Sequence, residues 1–325
     1  MGNSIAFLKL LKQYLCYNTF MQKKLLLLMN PYSGVGKGKE YLYDIVHTLS
    51  LGDYEVTVFP IDPKNGLEPD TFVKEKGNEF DMIVCYGGDG TLNHLVNAIC
   101  IAGIDKPIGY IPGGSTNDFS KNFEDNLTVE KICENIVKGE EFAYDVGKLN
   151  NQYFNYIAAF GAFTEISYST DQEIKNIFGH GAYVMYAIGT LGNNLSYRRH
   201  VVIEHDGIKE EGDYIYVGIS NSPSVGGFRV PYSDNMKLND GLFEVLLVSA
   251  PNSPIDFATV GGDLASERTD SKYIRTFQAK EISFSCDKSV HWTIDGEYAG
   301  EINEGTISII PERIRIMVGK QKKSS

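Results

Sequence analysis

Cysteine is sparse and unpatterned in this 325-residue chain: Cys16, Cys85, Cys100, Cys133 and Cys286 make an odd set of five, and no two form a CxxC pair. Neither a disulfide framework nor a zinc site is indicated, and a reducing cytoplasm fits that usage. The six histidines show no HExxH or comparable spacing, so His94 and His291 read as packing or polar surface residues rather than metal ligands. Long apolar runs are missing as well. Leu25 to Met29 is stopped by Asn30-Pro31, far short of the roughly 18 residues that a spanning helix needs. Positive charge is in deficit: 30 Lys and Arg face 42 Asp and Glu, a net charge of −12. That balance speaks against a nucleic-acid partner and against firm electrostatic residence on a bilayer. The local basic clusters, Lys23-Lys24, Arg198-Arg199 and the tail Lys320, Lys322 and Lys323, read as solvated surface.

What is present is size and alternation. A chain of 325 residues exceeds the length at which one hydrophobic core usually stops growing, so two domains are expected. Residues 1–20 read as an N-terminal extension, with Phe7, Leu8, Leu11 and Leu15 able to line one side of a short interfacial helix. From 21 to 139, strands (Lys24 to Met29, Tyr54 to Phe59, Asp81 to Tyr86, Ile108 to Ile111) alternate with helices (Lys37 to Leu49, Glu68 to Lys76, Thr91 to Ala102, Thr128 to Val137). This order implies an α/β domain built on a parallel sheet covered on both faces. From 140 to 305 the texture is all-β: Phe142 to Leu149, Tyr153 to Ala159, Val201 to His205, Tyr214 to Ser220, Leu242 to Ser249, Glu281 to Ser285 and Val290 to Ile294. Helical insertions interrupt it near Gly179 to Leu195 and Pro254 to Leu264. The join is expected near Gly139. Residues 306–325, with strands Thr306 to Ile310 and Ile314 to Val318, form a C-terminal piece that could return to the first domain. The fold class read from this order is α/β plus all-β: a parallel α/β domain, then a β-rich, sandwich-like domain.

Three glycine-bearing loops follow strands of the first domain. One is Asn30-Pro31-Tyr32-Ser33-Gly34-Val35-Gly36-Lys37, which lacks the Ser or Thr that a Walker loop places after its Lys. The second is Gly87-Gly88-Asp89-Gly90-Thr91, between a strand and a helix. Glycines there let backbone amides and the helix N-terminus face an anionic phosphate chain. Asp89 in such a loop is repelled by phosphate unless a divalent cation stands between them, which assigns it to Mg²⁺; the alternative is a helix cap. The third is Pro112-Gly113-Gly114-Ser115-Thr116-Asn117-Asp118-Phe119. Loops at the carboxyl ends of parallel strands share the edge where open α/β sheets bind ligands.

In this order and spacing, Asn-Pro-x-Ser-Gly, Gly-Gly-Asp-Gly-Thr and Pro-x-Gly-Ser-x-Asn-Asp-Phe resemble the diacylglycerol kinase catalytic domain, shared with sphingosine and ceramide kinases and with bacterial soluble lipid kinases. The resemblance runs from about Met21 over nearly the whole chain. It implies ATP and Mg²⁺ as cofactors, a nucleotide-binding role for the α/β domain, and an active site in the cleft between the two domains, with the nucleotide site drawn from Asn30, Ser33, Gly34, Gly87, Gly88, Asp89, Gly90, Thr91, Asn93, Ser115, Asn117 and Asp118. Ser115 stands where the family usually has Thr. Lys237-Leu238-Asn239-Asp240-Gly241-Leu242-Phe243 resembles the Asp-Gly-x-Phe segment that holds a structural Mg²⁺, which implies the Asp240 carboxylate with the carbonyls of Lys237 and Leu242. Asp295-Gly296-Glu297 reads first as a hairpin turn. The resemblance places the general base here, leaving Asp295 and Glu297 as the two candidates and Asp118 next in line.

The function so implied is transfer of the γ-phosphoryl group of ATP to a lipid hydroxyl, with diacylglycerol first among acceptors and phosphatidic acid the product. Gly181 to Leu191, apolar nearly all round, suits either a core helix or the wall of an acyl-chain pocket. The partner expected is a lipid presented at a membrane surface, visited transiently from the cytoplasm; a homodimer is compatible with the sequence. Two rival readings remain. A kinase acting on NAD shares Gly-Gly-Asp-Gly-Thr but should carry an Asn-Glu pair downstream, whereas Asn78-Glu79 lies upstream and Asn303-Glu304 falls in a late turn. The other is a nucleotide-binding regulator without catalysis, against which Asp89, Asp295 and Glu297 speak.

Overall fold

The computed structural model describes residues 23–33, 36–114, 117–123, 127–161, 198–222, 224–225, 228–229, 237–266, 268 and 271–320. The expected N-terminal extension, the apolar stretch 181–191 and the helix over 179–195 lie outside the described residues. No helix among the described residues is long and apolar enough to cross a membrane.

The first half alternates as the sequence pattern requires. In order come β1 (Lys23–Met29), α1 (Gly38–Ser50), β2 (Tyr54–Pro60), α2 (Pro69–Lys76), β3 (Met82–Gly87), α3 (Asp89–Ala102), β4 (Ile108–Pro112) and α4 (Val129–Lys138). The four strands are parallel, in the order β2, β1, β3, β4. Leu25 to Leu28 are all fully buried, because helices cover both faces of the sheet. Alternate leucines serve opposite cores. Leu25 and Leu27 pack with Ile45 and Leu49 of α1 and Ile136 of α4, while Leu26 and Leu28 pack with Val73 of α2 and Leu95, Val96 and Ile99 of α3.

The second half contains β5 (Glu140–Leu149), β6 (Gln152–Phe154), β7 (Ile157–Gly161), β8 (Arg199–His205), β9 (Ile208–Ser220), β10 (Ser224–Val225), β11 (Phe228–Arg229), β12 (Phe243–Ser249), α5 (Pro254–Ala265), β13 (Ile274–Ala279), β14 (Glu281–Ile294) and β15 (Glu297–Val318). The long strands β9 and β14 each pair with β7 at one end and β8 at the other. These four strands curve around a core holding Phe154, Phe160, Phe243 and Trp292.

The halves share one sheet. β15 pairs antiparallel with β14 and β5, and its end meets β4 in parallel at Ile316 and Ile108. Several strands differ from the expected bounds for physical reasons. Glu281 to Ser285 and Val290 to Ile294 are one strand, as are Thr306 to Ile310 and Ile314 to Val318. The polar interruptions between them are bulges, not turns. Tyr153 to Ala159 divides in two because the backbone N–H groups of Asn155 and Tyr156 leave the ladder for a side chain. β13 has no counterpart in the sequence reading, and Asn303-Glu304 lies inside β15 rather than in a turn.

Candidate active site

Strand ends deliver the three glycine loops to one place. Asn30, just past β1, donates from its backbone N–H to the Tyr86 carbonyl (3.0 Å) and from its side-chain amide to Thr91 Oγ1 (3.2 Å). Gly113 N–H donates to the Gly87 carbonyl (2.7 Å), tying the third loop to the second. Gly88 and Gly114 pack so closely that a Cβ on Gly114 would lie 2.6 Å from the Gly88 Cα, and Ser33 Oγ lies beside the same point. Only glycine permits that crossing. Asn117, at φ +49°, closes the third loop by accepting from Gly114 N–H and donating to the Gly114 carbonyl, each at 2.8 Å. Gly34 and Ser115 lie outside the described residues.

α3 begins at this crossing, with Gly88 before its first turn and no side chain capping it. Its leading N–H groups therefore suit an anionic group. Asp89 is the first helical residue and not a cap for its own helix. Its carboxylate instead accepts the backbone N–H groups of Asp118 (3.0 Å) and Phe119 (3.2 Å), which fixes the third loop to the second. Burial pushes the Asp89 carboxyl up to about 6; those two N–H groups oppose the shift, and nearby Asp118 and Asp295 add to it. A group so placed gains from a cation, and its oxygens are the hard donors that Mg²⁺ takes. Asp118 itself is buried and ion-paired with Lys121 at 2.8 Å.

The turn between β14 and β15 completes the site from the other half. Asp295 and Gly296 both have positive φ, 48° and 86°, the geometry of a two-residue hairpin. The Asp295 carboxylate, 4% exposed, accepts five N–H groups: Asn155 N (2.7 Å), Asn155 Nδ2 (3.1 Å), Tyr156 N (2.9 Å), Ile157 N (3.1 Å) and Asn93 Nδ2 (2.7 Å). Burial raises its pKa and the donors oppose the rise. Asn97, one turn further along α3, exchanges hydrogen bonds with the Tyr153 backbone in both directions. The turn is thus clipped to the helix that follows the second glycine loop, and Glu297 comes to that helix's first turn: a Cβ on Gly90 would stand 3.0 Å from Glu297 Oε1. Glu297 is exposed, unlike Asp295.

The turn carrying Lys237, Asp240 and Leu242 is held elsewhere. Asp240 Oδ1 accepts Leu242 N–H (3.1 Å), and Gly241 N–H donates to the buried Asp145 (2.7 Å). Among the described residues no three His, Cys, Asp or Glu side chains gather as a metal cluster. One carboxylate backed by main-chain carbonyls is nonetheless an oxygen-only donor set of the kind that hard cations accept. The sequence reading had no signal for Asn155, Tyr156 or Asp145. Asn93 and Asn97, four apart on α3, were the visible trace of a polar helix face inside the protein.

The diacylglycerol kinase catalytic domain family matches residues 24–149. A Staphylococcus epidermidis diacylglycerol kinase is 30% identical over 288 residues, covering 87% of this chain and 88% of the relative. A Bacillus subtilis diacylglycerol kinase is 28% identical over 305 residues, covering 92% and 98%. Two solved Bacillus anthracis structures, one described as a diacylglycerol kinase, share the fold with TM-scores of 0.75 and 0.70 at 23% and 20% identity, covering 92% and 93% of this chain and 95% and 98% of theirs. The chain is a lipid kinase and belongs to the diacylglycerol kinase family.

Proposed function

We propose that this lipid kinase transfers the γ-phosphoryl group of ATP to the free hydroxyl of diacylglycerol at a membrane surface, yielding phosphatidic acid. The observation that carries the reading is the clamp at Asp295. By accepting N–H groups from Asn93 and from residues 155–157, that carboxylate holds the exposed Glu297 against the first turn of the helix that leaves the glycine loop. Triphosphate bound at the crossing of Ser33, Gly88 and Gly114 would then point toward a carboxylate able to take the acceptor's proton.

The roles divide accordingly. Glu297 serves as general base and Asp295 as the anchor that positions it, because a carboxylate with five donors has little capacity left for a sixth proton. Loop amides and the α3 N-terminus meet charge on the phosphates. Mg²⁺, held through Asp89, would neutralise charge on the triphosphate. A second Mg²⁺ at Asp240 and the carbonyls of Lys237 and Leu242 would serve the fold of the turn.

Incubation with radiolabelled ATP and a panel of diacylglycerol, sphingosine, ceramide, an isoprenoid alcohol and NAD, followed by chromatography of the products, tests the reading. Labelled phosphatidic acid is expected as the main product. Label in another lipid would move the acceptor, and label in NAD alone would remove the lipid reading.

A further inference from the structure

Every polar group of Tyr156 is engaged. Its backbone N–H donates to Asp295 Oδ1 (2.9 Å), and its buried hydroxyl donates to the Asp295 main-chain carbonyl (3.2 Å). Its own carbonyl accepts Ser220 Oγ (3.0 Å), at the end of β9, and Asn221 N–H (2.9 Å), just past it. The Asn221 side chain in turn donates to the Asp145 carbonyl on β5 (2.7 Å). Ser220 and Asn221 are both buried, so the residue that grips Asp295 is itself tied to two strands. Burial, and next the Asp295 carboxylate, push the Tyr156 phenol well above its ordinary value, which keeps the hydroxyl a donor at neutral pH.

The carbonyl that this hydroxyl holds belongs to the Asp295–Gly296 peptide, the central peptide of the two-residue turn. Asp295 and Gly296 both have positive φ, and glycine at 296 offers little steric resistance to rotation of that peptide. Its orientation sets the direction in which the chain leaves for Glu297. The five donors described above hold the Asp295 side chain, whereas the Ile157 carbonyl and the Tyr156 hydroxyl hold its main chain. We propose that Tyr156 is a positioning residue for phosphoryl transfer: its hydroxyl fixes the central peptide of the turn and thereby the place of Glu297 at the first turn of α3. The proposal rests on the reading of Glu297 as general base for transfer to diacylglycerol.

The test is a double-mutant cycle on Tyr156→Phe and Glu297→Gln in the full-length enzyme. The kcat and the KM for ATP are measured with diacylglycerol in detergent micelles, and melting temperatures are taken alongside. Tyr156→Phe deletes one oxygen and keeps the ring. It is expected to lower kcat by about 10-fold with the KM for ATP within about twofold of the parent, because a displaced base weakens the chemical step and not nucleotide binding. In the Glu297→Gln background the same change should have almost no further effect, since no base remains to be placed. Tyr144→Phe is the matched control: it too loses a buried hydroxyl bond, to Asn155 Oδ1 at 2.9 Å, and should melt earlier while keeping kcat near the parent's. A merely structural hydroxyl would lower the melting temperature of Tyr156→Phe and leave kcat unchanged well below melting. That result overturns the proposal, as does an equal fall of kcat in Tyr144→Phe or a loss that multiplies in the double variant. A large fall in Glu297→Gln alone preserves the base assignment in each of those cases, whereas a near-parental rate there removes the base and the proposal together.

Discussion

Asp145 and Asp295 are both buried carboxylates that no Lys or Arg approaches within ion-pair distance among the described residues, yet they sit at different kinds of junction. Asp145, on β5, lies opposite the bulge in β15. It accepts Glu312 N–H from that bulge and Gly241 N–H from the Asp240 turn, each at 2.7 Å. Both partners belong to the second half, so Asp145 holds that half together. Asp295 accepts five N–H groups, and one comes from Asn93 in the first half. The same device, a buried acceptor in place of a strand ladder, shapes architecture at one site and aligns the chemistry at the other.

That comparison sets the largest expected effect. Replacing Asp295 by Ala leaves five donors without an acceptor, and at about 1–3 kcal/mol for each buried unsatisfied group the loss should approach the whole stability of a typical domain. Asp145→Ala strands two side-chain-bound N–H groups and should cost roughly 2–6 kcal/mol. Urea unfolding followed by circular dichroism measures both. Equal losses would show that the number of donors does not set the energy and would break the comparison.

Glu297→Gln separates the anchor from the group it anchors. The side chain is exposed, so stability should stay within about 0.5 kcal/mol of the parent. The rate should fall by about 10²- to 10⁴-fold with little change in ATP affinity, because only proton acceptance is lost. Melting curves and single-turnover rates decide it. A variant that melts early and keeps its rate would reverse the two roles.

Asp89 sharpens the point, since among the described residues it accepts two backbone N–H groups and its carboxyl is raised to about 6. A folded-state pKa above the unfolded value of about 3.9 means that ionisation opposes folding. The cost is absent below about pH 4, grows through pH 6 and is complete at pH 7. In metal-free buffer, Asp89→Asn should therefore gain stability relative to the parent by up to about 2–3 kcal/mol between pH 4 and pH 7, while losing phosphoryl transfer. A stability difference that does not change with pH would show that the two N–H groups already offset the burial.

The parallel half was legible because each of its signals is local. Buried strands such as Met82 to Gly87 run apolar without interruption, and glycines mark the loop that follows. The three loops, with Asp89 and the 295–297 turn, could be read off the chain for the same reason. The connections between them could not. Asn93 and Asp295 are 202 residues apart, and Asp145 reaches its two partners across 96 and 167 residues. No periodicity encodes such a contact. The bulges were misread because Cys286 to Ser289 and Pro311 to Arg313 carry the polar and Pro residues of turns, and only the partner strand shows that the chain continues through them.

The smallest expected effect lies at the Asp240 turn, which Asp145 holds through Gly241. Asp240 is exposed, and one of its oxygens already accepts Leu242 N–H within the turn. Losing that bond in Asp240→Ala should cost about 0.5–1.5 kcal/mol without metal. If the turn binds Mg²⁺, the parent gains stability as RT ln(1 + [Mg²⁺]/Kd), about 2.7 kcal/mol when the cation stands at a hundred times its Kd, and the variant should lose that gain. Thermal melts across a Mg²⁺ titration, without nucleotide, isolate this site from one that needs triphosphate. The melting temperature should rise with Mg²⁺ in the parent and stay flat in Asp240→Ala. Asp145→Ala should fall between them, because the Asp240 carboxylate survives while the hydrogen bond that fixes its turn is gone. An equal rise in parent and Asp240→Ala would place the cation elsewhere and leave Asp145 as a clamp for the β15 bulge and the turn alone.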